Sequence, residues 1–103
     1  MALGVVPLIV DYAGPGELVG EGTGYKIPIG SRAQIVASLR DKLERILEDP
    51  SQLQAIARNA RTFALEHFTW SAKARQIRTV YDCVLSGAPL PEALIPPPGA
   101  PQA

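Results

Sequence analysis

The stretch from Met1 to Val19 reads MALGVVPLIVDYAGPGELV, an apolar run that breaks into a turn-rich loop. Val5 to Val10 is continuously apolar rather than alternating, the pattern of a strand buried on both faces, as in a parallel sheet. Pro7 interrupts it. A proline donates no ladder hydrogen bond, so the strand starts after Pro7, lies at an edge or carries a bulge. Asp11 to Gly16 then supplies turn chemistry, and Pro15 suits the opening of a single helical turn through Glu17, Leu18 and Val19. In open α/β sheets the loop at the carboxyl end of a buried strand is where ligands sit, which makes this segment the candidate wall of a cleft.

Outward from that loop, Gly20-Glu21-Gly22-Thr23-Gly24 is a second turn, and Tyr25 to Ile29 a second short strand with Pro28 near its end. Ser31 and Gln34 are spaced as a capping box at the start of a helix. Ile35, Val36, Leu39, Leu43, Ile46 and Leu47 follow at three- and four-residue intervals and predict one apolar stripe against a core. Asp49-Pro50 ends this helix and opens the next, because proline disfavours a helical residue before it yet suits the first helical position. Leu53, Ile56, Ala57, Ala60 and Phe63 form the second stripe. Thr69 is placed to cap a third helix, whose Trp70, Ile77, Tyr81, Val84 and Leu85 again share one side, and Gly87 stops it.

The expected fold is therefore α/β: two short parallel strands followed by three helices over residues 1–85. Residues 86–103 read as a proline-rich, disordered tail. Six of the ten prolines fall in those last eighteen residues, where few large apolar side chains remain to offset the entropy of ordering. About 85 residues bury only about 60% of the surface their unfolded chain exposes, so stability is marginal. A two-stranded unit is marginal as well, and neighbouring strands are expected before Met1.

Composition removes several functions. Ten Lys and Arg balance ten Asp and Glu, which leaves no whole-chain field for a nucleic acid. The basic bias of helices two and three, from Arg58, Arg61, Lys73, Arg75 and Arg78, fits a solvated face, with peripheral contact to an anionic membrane or an acidic neighbour as its functional alternative. The lone Cys83 forms no internal disulfide and fits a reducing, cytoplasmic setting. The first residues lack a basic leader and carry Asp11, so neither a signal peptide nor a spanning helix is expected.

Chemistry-bearing residues are few. Seven of nine glycines lie between residues 4 and 30, but their spacing is neither a dinucleotide nor a phosphate-loop fingerprint. Gly14-Pro15-Gly16 ahead of a helical turn can aim amides at an anion, or can serve turn geometry alone. Asp11 and Glu17 are the carboxylates nearest the presumed cleft, suited to a sugar hydroxyl or to stabilising a turn and a helix start. His67 has no second histidine with which to make a metal pair, and Phe68 and Trp70 read as packing for the corner between helices. No catalytic residue, metal or cofactor is expected.

Taken in order, these pieces resemble the C-terminal end of glycosyltransferase family 4 enzymes of the GT-B fold. The resemblance rests on Met1-Ala2-Leu3-Gly4, the strand Val5 to Val10, the loop Asp11 to Val19, then Gly22-Thr23-Gly24-Tyr25-Lys26-Ile27, and His67-Phe68-Thr69-Trp70. It covers residues 1–85. Ala13 stands where the family usually has a glycine, and Pro7 lies one place later than the common pattern. The resemblance implies a partial Rossmann-like subdomain of a retaining enzyme that moves sugar from a nucleotide-sugar donor to an acceptor. It also implies that the family's Glu-x7-Glu motif and diphosphate-binding basic residues lie upstream, so that the chain alone is inactive and depends on a missing N-terminal domain. Asp11, Gly14 and Glu17 would then shape the donor cleft. The rival expectation is a small, non-catalytic helical interaction module that self-associates through its open sheet edge.

Overall fold

The computed structural model describes residues 1–98. It is an α/β unit dominated by helix: β1 (Leu8–Asp11), α1 (Ala13–Leu18), β2 (Tyr25–Pro28), α2 (Arg32–Glu48), a 3-10 turn (Pro50–Gln52), α3 (Leu53–His67) and α4 (Trp70–Ser86). The helical turn expected after β1 is a six-residue helix between the strands, which makes four helices where three were expected. Its N-terminal residue is Ala13, not Pro15. Pro15 is tolerated two residues inside because amides of the first helical turn have no intrahelical acceptor to lose.

β1 and β2 pair in parallel, with Leu8 opposite Tyr25, Ile9 opposite Lys26, Val10 opposite Ile27 and Asp11 opposite Pro28. Pro7 explains why β1 starts three residues later than the apolar run. Lacking an amide proton, it contributes only its carbonyl, which accepts from the Tyr25 amide at 2.8 Å. The sheet has two strands, so among the described residues the other edge of β1 has no neighbour.

The turn between α1 and β2 is held from inside. The Thr23 hydroxyl donates to the Gly20 carbonyl at 3.1 Å and accepts from the Gly20 amide at 3.0 Å, closing a buried knot. Gly24 has no room for a side chain: a Cβ there would lie 2.6 Å from Pro7 Cγ and 2.7 Å from Val19 Cγ1. This close approach seats the turn under β1.

The helix boundaries follow local hydrogen bonding. The Ser31 hydroxyl accepts from the Gln34 amide at 3.4 Å while the Gln34 side chain accepts from the Ser31 amide at 2.8 Å, the reciprocal box expected from their spacing. Asp49 accepts from the Ser51 amide at 3.1 Å. Pro50 opens the 3-10 turn rather than α3 itself, a modest departure from expectation. Thr69 caps α4 through the Ala72 amide at 3.2 Å, and Gly87 ends it in the left-handed region at φ 70°.

The core is thin. Val19, Ile27, Ile56, Ala60, Phe63, Ala72 and Thr23 are the buried residues among those described. The stripe expected on α3 does face inward, with Ile56, Ala60 and Phe63 buried. The stripe on α4 does not: Trp70, Ile77, Tyr81, Val84 and Leu85 are all exposed, and the inward side is Ala72, Gln76 and Cys83. On α2, Ile35 and Ile46 are half-buried while Val36, Leu39, Leu43 and Leu47 face solvent. A periodicity names the residues that share a face; what lies opposite is decided by the rest of the molecule.

Between Gly87 and Pro98, the last of the described residues, there is no helix or strand. Pro91, Ala93 and Leu94 lie over the junction of α3 and α4, and Pro98 packs against Gly20. The remainder of the expected tail, residues 99–103, lies outside the described residues.

Candidate functional site

The loop after β1 begins with an ion pair that sequence reading missed. Lys26, on the neighbouring strand, places its ammonium 3.2 Å from Asp11 Oδ1 and donates to the Gly16 carbonyl at 3.1 Å. One cation thus ties the end of β1 to the backbone of α1. The signal was present in the sequence as the only charged residue of the second strand, yet only the parallel register brings it beside Asp11.

Gly16 is part of the same arrangement. A Cβ at this position would lie 2.7 Å from Asp11 Oδ1, so the carboxylate reaches Lys26 only because the residue below it has no side chain. With the Lys26 and Asp11 side chains 33% and 52% exposed, the pair contributes under about 1 kcal/mol to stability. Its effect is to fix where the loop points. Asp11 is committed to holding the loop, which is a positioning role.

The other two candidates are not drawn into this cluster. A Cβ on Gly14 would meet nothing within 4 Å, so that side of the loop is open. Glu17 is exposed and makes no hydrogen bond or ion pair among the described residues. Tyr12, at the N-terminus of α1, provides no side-chain cap. The loop is therefore a wall with one anchored carboxylate, one open glycine and one outward carboxylate, lacking a general acid and base held against each other.

A second polar region lies at the α3–α4 corner. The Gln76 side-chain amide donates to the His67 carbonyl at 3.1 Å, and the His67 ring meets Phe63 at a tilt of 58°, with centroids 4.9 Å apart. Phe68 meets Phe63 edge-on at 5.7 Å and carries the Lys73 ammonium over its face at 4.7 Å. Phe68 packs the corner as expected; Trp70 does not and is 91% exposed. Glu66, His67, Arg75 and Gln76 line a shallow cavity that Pro91 and Leu94 partly roof.

Among the described residues no group of His, Cys, Asp and Glu is arranged to hold a metal ion, and no helix is long and apolar enough to cross a membrane. Against this geometry, no family model, curated protein or solved structure matches the chain.

Proposed function

We propose that residues 1–85 are the closing part of the nucleotide-sugar-binding domain of a retaining, cytoplasmic GT-B glycosyltransferase. The observation that carries this reading is the order of its motifs combined with a parallel strand–helix–strand unit in which the Asp11 to Gly16 loop lies at the carboxyl end of β1. Two further features support it. Ala13, at the position where the resembled family usually has a glycine, takes a positive φ of 48°. The open edge of β1 and the apolar outer face of α4 are surfaces that a larger two-domain enzyme would cover.

In this reading Asp11, Gly14 and Glu17 form one wall of the donor cleft, Lys26 keeps that wall in place, and the leaving diphosphate is stabilised by charges from elsewhere in the enzyme. The chain alone binds no donor tightly and transfers no sugar. Two measurements test this. Titration with uridine, guanosine and adenosine diphosphates should give no heat; a micromolar complex, roughly −8 kcal/mol, would sink both the claim that the donor site is missing from this chain and the interaction-module alternative. The encoding DNA should continue in frame upstream of Met1 into a Glu-x7-Glu motif followed by alanine. A stop codon immediately upstream would undercut the reading of this chain as the cut end of a longer enzyme.

A further inference from the structure

The outer face of α2 carries Val36, Leu39, Leu43 and Leu47, all exposed. Arg40 and Glu44 border the apolar groove on the same flank, one turn apart. Neither has an ion-pair partner among the described residues, whereas Asp41 and Arg45 are paired with each other at 3.0 Å. On the inner flank Lys42 is turned away, its ammonium 5.8 Å from the Tyr25 ring. Arg32 borders the face at its start, beside Val36; between Val36 and Leu47 the rim of the groove holds one cation, Arg40, and one anion, Glu44, in a fixed order along the helix.

That order is self-complementary. When two helices pack antiparallel about a two-fold axis, the same flank of each copy meets the other with its direction reversed. With the axis beside residue 42, Arg40 of one copy lies opposite Glu44 of the other, and the pair forms twice. The apolar residues match in the same register: Leu39 and Leu43 of both copies meet around the axis, and Val36 of one copy lies beside Leu47 of the other. Val36, Leu39, Leu43 and Leu47 follow at intervals of three, four and four, so they keep to one face of the helix. The α4 face lacks this property, since Arg78 on its rim already pairs with Asp82 of its own helix at 3.7 Å.

We infer that α2 is a homodimerisation face, closed by antiparallel packing on α2 of a second copy and keyed by two Arg40–Glu44 pairs. This is independent of the enzymatic reading, because it uses neither the Asp11 loop nor the edge of β1.

The test is sedimentation velocity of the full chain over a dilution series, with far-ultraviolet circular dichroism to confirm that each variant keeps its helices. The wild-type chain should sediment as a dimer that dissociates on dilution. Arg40→Glu and Glu44→Arg should each weaken the dimer about tenfold or more, by placing like charges opposite each other at both pairs. An equimolar mixture of the two variants should recover association. In the mixed dimer one copy presents only acidic side chains at positions 40 and 44 and the other only basic ones, so both pairs are attractive again. The double variant Arg40→Glu/Glu44→Arg should return to within about threefold of wild type, and Leu43→Arg should be monomeric. A wild-type chain that stays monomeric at about 100 μM overturns the inference. So does a dimer indifferent to both single charge reversals, which would assign pairing to α4 or β1, and so does a mixture no tighter than its components.

Discussion

Ala13 is the one described residue other than glycine with a positive φ, at 48°, and it sits where β1 gives way to α1. A Cβ in the left-handed region costs about 1–2 kcal/mol, while glycine adds back roughly 0.7 kcal/mol through the greater freedom of the unfolded chain. Ala13→Gly should therefore raise stability by about 0.5–1 kcal/mol, read as a thermal midpoint a few degrees higher. A fall in the midpoint would mean that the strain is relieved in another way. At the same scale, Asp11 and Glu17 illustrate what a sequence can show. Both carboxylates are visible as polar residues beside a cleft, but Lys26 and Gly16 decide which of them is anchored, and they enter only through strand register and a 2.7 Å approach.

Elements were most legible where their limits are set by neighbours three or four residues away. Ser31 with Gln34, Thr69 with Ala72, and Gly87 all take the positions their spacing implies. Removing the Ser31 hydroxyl in Ser31→Ala should cost about 0.5 kcal/mol, the lower end of measured caps, because the bond is 3.4 Å long. The turn between α2 and α3 carries a pH dependence of its own. Hydrogen bonds from the Ser51 side chain and amide hold the Asp49 carboxyl below its ordinary value of 3.8. Because the folded value is depressed, the contribution is complete above the unfolded value and is lost as pH falls through the folded one. The gap in thermal midpoint between the wild-type chain and Asp49→Ala should be widest above about pH 4, and should narrow in more acidic solution. Less legible was the side of each helix that turns inward. Trp70, Ile77 and Tyr81 do share a face of α4, but the buried residue of that helix is Ala72.

For the whole molecule, the radius of gyration of 16.7 Å exceeds the roughly 13 Å typical of a compact chain of this length. The long axis is 52 Å against 30 and 22 Å for the others. So extended a body concentrates its stability in a few side chains. Phe63→Ala, which removes the largest buried ring and two aromatic contacts, should cost about 3 kcal/mol or more and abolish a cooperative transition. Tyr81→Ser, on a side chain 64% exposed, should change stability by no more than about 0.5 kcal/mol. Equal losses from both would place the α4 stripe inside a core.

Trp70 is the sole tryptophan and stands 91% exposed at the start of α4. Its fluorescence should therefore already be that of an indole in water in the native state, and denaturation should leave the emission maximum almost unmoved. The intrinsic optical probe of this protein is blind to unfolding of the core. It is instead a reporter of occupancy: a blue shift, with loss of quenching by acrylamide, marks the moment another surface covers the outer face of α4.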